Sequence, residues 1–381
     1  MEIYIFILFL FLIPAGIKYI TLIVLFTLGW YKGLKMDALE DDPATGFRVS
    51  VIIPARNEED HLDNLLNDLA AQDYPRDRYE VIVVDDHSTD RTAEITEKFR
   101  LMKPGFNFKL IRSDVDESAG SKKRALTSGV HAAAGEVILT TDADCRLGPG
   151  WITAMAAFFR DRSIQLTAGP VTYHDAKGFL NRFQALEFLG MMASGAGAVK
   201  AGLPFICNGA NLAYRRETFL ALQGFHGNEK YVSGDDVFLM HRIKRHRGRY
   251  SIGFAFTKDA LVKTTPAENV KAFFRQRIRW ASKSKGYYDR TALFTTMSVF
   301  FLNLAMVMFF FTGFFYPPVL LVFPGAVLIK SIIDLPLLRG VTQFTEQRRL
   351  LHGYLLFQLI YPFYVVTTGL LSLLLPVNWK R

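Results

Sequence analysis

The chain has 381 residues, of which 50% are hydrophobic and 33 are Phe, and its formal net charge is +9. That is too apolar for an ordinary soluble domain and too polar for membrane spans alone. At roughly 150 residues per domain, one sizeable soluble domain beside several membrane helices fits the length. The basic residues crowd between Lys230 and Arg290, just ahead of a long apolar region. That position suits anionic headgroups or phosphorylated substrates better than nucleic acid. The two cysteines, Cys145 and Cys207, offer no disulfide framework and fit a reducing, cytosolic compartment.

Residues 1–30 contain an apolar run long enough to cross a bilayer, at about 20 residues per crossing. It opens on Glu2 rather than a basic residue and outlasts a signal-peptide core, so a retained helix is expected. Lys32 and Lys35 follow it, and the positive-inside rule then puts residue 31 onward in the cytosol. An inner or cytoplasmic membrane is the expected location. Residues 31–47 read as a linker.

From residue 48 to 265 short apolar runs alternate with polar helical segments. RVSVIIPA, YEVIVVDD, FKLIRS and EVILTTDAD read as strands buried on both faces. EDHLDNLLNDLAAQ and RTAEITEKFR read as crossover helices. Alternation of this kind implies an α/β domain with a mostly parallel sheet. Ligands of such sheets bind beyond the carboxyl ends of the strands. Both acidic clusters, Asp85-Asp86 and Asp142-Asp144, fall at such ends. Residues 266–290 read as a basic, aromatic amphipathic helix, 291–376 as about three membrane spans, and 377–381 as a tail. The span around Lys330 and Asp334 is the least regular.

Each candidate motif admits a plain reading. Arg56, Asn57 and Glu58 in PARNEED suit a helix start, where acids meet the macrodipole. Asp85 and Asp86 can accept from a base N–H and a ribose hydroxyl, while Ser88 or Asp90 suits a helix cap. Lys122 and Lys123 open a helical segment, as a phosphate site or a solvated turn would. Two Asp at i and i+2 on a strand point one way and repel unless a cation or a donor-rich ligand lies between them. A wet loop is the competing account. Gln276, Arg279 and Trp280 share one helical face, which also describes an interfacial helix with Trp at the water boundary.

The order VSVIIPARNE, VVDDHSTD, GSKKRAL, TTDADC, CNGANLAYRR, GDDVFL, QRIRW resembles the family 2 glycosyltransferases over about residues 48 to 280. The nearest branch is the membrane-integrated one that includes cellulose, chitin and hyaluronan synthases and ceramide glucosyltransferase. The resemblance implies a GT-A fold and a nucleotide-diphosphate sugar donor, UDP-linked in expectation. It implies Mg²⁺ or Mn²⁺ on Asp144, with Asp142 reaching the ribose and the metal. Pro54, Arg56, Asn57, Glu58, Asp85, Asp86, Lys122, Gln276 and Arg279 would complete the donor side. Asn208, Asn211, Asp235 and Trp280 would face the acceptor, and Asp236 would be the general base. Asp235 stands where many members carry Glu, and Thr127 where many carry Asn. The expected reaction is inverting transfer to a lipid or lipid-linked acceptor at the membrane, with no nucleic-acid partner. A processive polysaccharide synthase, a nucleotidyltransferase of related fold and a non-catalytic scaffold are the rival readings.

Overall fold

The computed structural model describes residues 2–36, 46–113, 121–174, 176–228, 231 and 233–375. Most of the expected linker at 31–47 and the tail at 377–381 lie outside the described residues. In chain order the first elements are α1 (Glu2–Met36), β1 (Val49–Ala55), α2 (Leu62–Ala70), β2 (Tyr79–Asp85), α3 (Thr92–Met102), β3 (Phe108–Arg112), α4 (Lys122–Ala132) and β4 (Val137–Thr140). Then come β5 (Arg146–Leu147), α5 (Trp151–Ala156), β6 (Leu166–Ala168), β7 (Val171–Tyr173), α6 (Gly178–Lys200), β8 (Leu212–Arg215), α7 (Arg216–Ala221) and α8 (Asp235–Arg247). The chain continues through β9 (Ile252–Phe254), β10 (Val262–Thr264), α9 (Val270–Ser282), α10 (Arg290–Phe315), α11 (Val322–Phe344) and α12 (Tyr354–Leu374).

These elements form two compact units: Lys32–His174 with Phe205–Pro266, and Met1–Tyr31 with Asp175–Pro204 and Ala267–Asn378. The first is built on a seven-stranded sheet ordered β3-β2-β1-β4-β8-β6-β9. The four expected strands run parallel, whereas β8 runs antiparallel between β4 and β6. β1, β2 and β4 are buried throughout, as apolar runs in a covered parallel sheet should be. β3 differs from expectation: as the edge strand it is only part-buried. The register sets Ala55 opposite Asp85, while the β1–β4 ladder stops at Ile52 opposite Thr140. Pro54, which has no N–H to give, lies past that last β1–β4 pair. The ends of β1, β2 and β4 therefore finish along one edge of the sheet. A small sheet, β5-β10-β7, lies apart from it.

The second unit is helical. Helix α6 lies inside the 48–265 stretch that reads as one domain, yet it packs with α1 and the C-terminal helices. Its small residues explain the choice. A Cβ on Gly29 would collide with the carbonyl of Gly197, and one on Gly197 with the carbonyl of Phe26, so α1 and α6 touch backbone to backbone. Gly197→Ala should therefore cost about 1–3 kcal/mol by overpacking, whereas Gly16→Ala meets nothing within 4 Å. Thermal unfolding in detergent should separate the two, and equal midpoints would reject this contact.

Among the described residues, four helices are long and apolar enough to cross a membrane: Ile5–Lys35, Arg290–Phe315, Pro317–Phe344 and Tyr354–Leu374. Phe11, Ile17, Phe314, Ile332 and Leu374 are among the large apolar side chains they leave exposed, which suits contact with lipid. Lys330 and Asp334, which make α11 look irregular in sequence, form a buried i,i+4 pair at 2.5 Å. Gln358 accepts from Lys330 at 2.8 Å, and the Tyr19 hydroxyl donates to Asp334 at 2.7 Å. A buried charge pair is tolerable when its remaining lone pairs and protons are met in this way.

Candidate active site

The loops after β1 and β2 clasp each other. The Asn57 side chain accepts from the Thr89 N–H at 2.8 Å, and Ser88 Oγ accepts from the Asn57 N–H at 3.0 Å. The Glu58 N–H donates to Thr92 Oγ1, and the Glu59 N–H to Asp90. Asn57 and His87 sit at positive φ, as short polar loop residues can. Asp90 also accepts from the Thr92 N–H at the start of α3, so the cap expected there comes from Asp90 rather than Ser88. Arg56 is half-buried at the end of β1. Asp85 accepts from the Ser88 N–H, and Asp86 Oδ1 meets His87 Nδ1 at 3.1 Å. Asp86 is 2% exposed, and among the described residues its Oδ2 has no hydrogen-bond partner. A buried acceptor left so is costly without a donor, and a base or sugar N–H or O–H would supply one.

Asp142 and Asp144 are not on the strand. β4 ends at Thr140, and the Cys145 N–H donates to the Asp142 carbonyl to close a turn. The turn, not strand alternation, sets the two directions. Asp142 Oδ1 accepts from Lys122 Nζ at 2.5 Å, and Asp144 Oδ2 from Thr264 Oγ1 at 3.1 Å. Next to Asp144, Cys145 is buried, and burial, then the two carboxylates, push its thiol well above the usual range. It therefore stays protonated and offers no thiolate. Among the described residues no three His, Cys, Asp or Glu form a cage for a metal ion. Two carboxylates are nevertheless a donor set that fits Mg²⁺ or Mn²⁺ when substrate phosphates complete the shell.

Lys122 opens α4 and reaches two acids from different parts of the chain. Its Nζ lies 2.5 Å from Asp142 and 3.3 Å from Asp235, the first residue of α8. Burial alone would lower its pKa; Asp142, Asp235 and then Asp236 outweigh it and hold the ammonium above its ordinary value. Asp236 Oδ2 accepts from the Gly209 N–H at 3.2 Å, and Oδ1 from the Val237 N–H at 2.6 Å. A Cβ on Gly209 would stand 2.9 Å from Asp235 Oδ2 and 3.4 Å from Lys122 Nζ, so this loop passes close to both side chains. One cluster thus joins the Asp142 turn, α4, the 208–211 loop and the start of α8.

Two neighbours of these residues turn out to be structural. Lys123 is buried and donates to the carbonyls of Asn228 and Tyr231, both at 2.7 Å. Asn211 is fully buried; it donates to the carbonyls of Pro170 and Ala260 and accepts from Trp151 Nε1 at 3.0 Å. Its amide is spent on holding the loop. Asn208 is half-buried and accepts from the Ala210 N–H in the same turn.

Gln276, Arg279 and Trp280 lie on α9 in the helical unit. Arg277, which sequence reasoning passed over, is the buried residue among them. It pairs with Glu187 of α6 at 2.6 Å, donates to Gln276, and stacks 4.4 Å from the Trp280 ring. Glu187 also accepts from the Tyr364 hydroxyl at 3.1 Å. A single acid inside the apolar run QALEFLGMM was the available signal, since a buried charge demands a partner.

The model of "Glycosyl transferase family 2" matches residues 50–222, and that of "Glycosyl transferase family group 2" matches residues 137–376. The chain is 31% identical over 246 residues to the probable glycosyltransferase YdaM of Bacillus subtilis, covering 61% of this chain and 54% of that one. It is 26% identical over 252 residues to a beta-monoglucosyldiacylglycerol synthase of Synechocystis, covering 64% and 48%. The chain spans about half the length of these curated relatives. Among solved structures, the mannosyltransferase PcManGT of Pyrobaculum calidifontis, in complex with GDP-Man and Mn²⁺, shares the fold. Its TM-score is 0.57 at 19% identity, over 94% of this chain and 99% of that one.

Proposed function

Because the chain belongs to the family 2 glycosyltransferases, we propose that it transfers a sugar, with inversion, from a nucleotide-diphosphate sugar to a lipid or lipid-linked acceptor at a membrane. The observation that carries this reading is the cluster in which Lys122 bridges Asp142 and Asp235, with Asp236 alongside. It sets a diphosphate-side turn beside a carboxylate able to take a proton. Asp142 and Asp144 would hold Mg²⁺ or Mn²⁺, which supplies charge neutralisation for a departing diphosphate. Asp86, with its unmatched buried oxygen, would take the base, and Asp85 the ribose or base beside it. Asp236 takes the proton of the acceptor hydroxyl as its oxygen bonds to the anomeric carbon, and the nucleoside diphosphate leaves from the opposite face.

The four apolar helices and the named glycolipid synthase among the relatives support a lipid acceptor. Membranes containing the protein, given radiolabelled nucleotide sugars with Mn²⁺ or Mg²⁺, should place label in the organic-extractable fraction. Label confined to high-mass material would instead favour a polymer acceptor. No transfer from any of the donors would count against the reading.

The sheet unit is expected on the cytosolic side, where nucleotide sugars are supplied. Ser163 is exposed in that unit and Cys145 is buried. A Ser163→Cys variant in a Cys207→Ser background should resist impermeant maleimide on intact cells and react after lysis. Labelling before lysis would reverse the orientation.

A further inference from the structure

Resting on the reading of Asp142 as a cation ligand, we propose that Lys122 and the divalent cation exclude each other at Asp142. Loading the donor side then hands the ammonium to Asp235 and so reaches the helix that carries Asp236. Lys122 Nζ lies 2.5 Å from Asp142 Oδ1, and its side chain is only 18% exposed. The Asp142 side chain is 37% exposed, and a cation on that carboxylate stands beside the ammonium, where like charges disfavour each other. The ammonium has a second acid within reach, since Asp235 Oδ2 is already 3.3 Å away.

The consequences of that shift run along contacts that already exist. Asp235 begins α8, and its carboxylate is packed against Gly209. The Gly209 N–H donates to Asp236 Oδ2. Asp142, Lys122, Asp235, Gly209 and Asp236 thus form one contiguous series, and a charge moving from its first member toward its third changes the field at its last. Lys122 is in this sense a positioning residue, distinct from the carboxylates that hold the cation or take the proton.

The test is Mn²⁺ binding to the full-length protein in detergent, without nucleotide, read from the paramagnetic resonance of free Mn²⁺. Lys122→Met should bind Mn²⁺ at least tenfold more tightly than the wild type, because a competing charge is gone. Asp235→Asn, which leaves the ammonium committed to Asp142, should bind it severalfold more weakly. Mn²⁺ should also alter hydrogen exchange across Asp236–Leu239 in the wild type and not in Lys122→Met. Thermal melting confirms that each variant is folded, and the Asp235→Asn arm stands if Lys122→Met does not fold. Equal or weaker binding by folded Lys122→Met would show that ammonium and cation share Asp142, and would overturn the exclusion. If Asp144→Asn abolishes Mn²⁺ binding in that same series, the cation site survives and only the exclusion falls. If Asp144→Asn changes nothing, both fall together.

Discussion

Asp236→Asn is expected to lower turnover by about two to four orders of magnitude, the usual worth of a general base, with donor affinity nearly unchanged. Both carboxylate oxygens of Asp236 accept backbone N–H groups, from Gly209 and from Val237 in the first turn of α8. Those bonds fix the direction of the carboxylate at the start of α8. Asn keeps one acceptor oxygen and much the same shape, so the loop and helix should survive. It cannot take a proton from an attacking hydroxyl. Calorimetric donor affinity, measured beside turnover, separates binding from chemistry. A loss of donor affinity as large as the loss of turnover would move Asp236 into the donor pocket and end its assignment as the base.

Asp144→Asn, like chelation by EDTA, should reduce transfer at least a hundredfold, on the order of the several kcal/mol that a bound cation contributes to a leaving oxygen's charge. The turn should persist, because the bond between Cys145 N–H and the Asp142 carbonyl holds it. The Thr264 hydroxyl can still donate to an amide oxygen at position 144. What is lost is the negative charge proposed to hold the cation. Turnover should recover when Mn²⁺ or Mg²⁺ is returned to the chelated wild type, and should not recover in the variant. Full activity in both EDTA and Asp144→Asn would remove the cation from the mechanism.

Much of this could be read from the chain itself, because local chemistry decides it. Val51, Ile52 and Ile53 in β1 and Val81 to Val84 in β2 are consecutive apolar residues with no polar face, and only a strand covered on both sides buries them all. The strand ends were the expected site, since acids that follow such strands emerge along one edge. The four apolar helices were legible from length alone.

Tertiary structure decided which polar residues were committed elsewhere. Lys122 and Lys123 are neighbours with identical chemistry, yet one meets the acids of two distant segments and the other binds two backbone carbonyls. Asn208 and Asn211 part in the same way, one in a half-buried turn and one spent inside the loop. Helix α6 packs with α1 rather than the sheet because its Gly197 fits the backbone of Phe26 and Gly29, a match between segments far apart in sequence. β8 reverses the sheet after β4 for a reason equally invisible in its own four residues. Periodicity reports which face of an element is apolar, because that depends on neighbours in the chain. Whether a buried donor or charge is satisfied depends on atoms that only folding brings near.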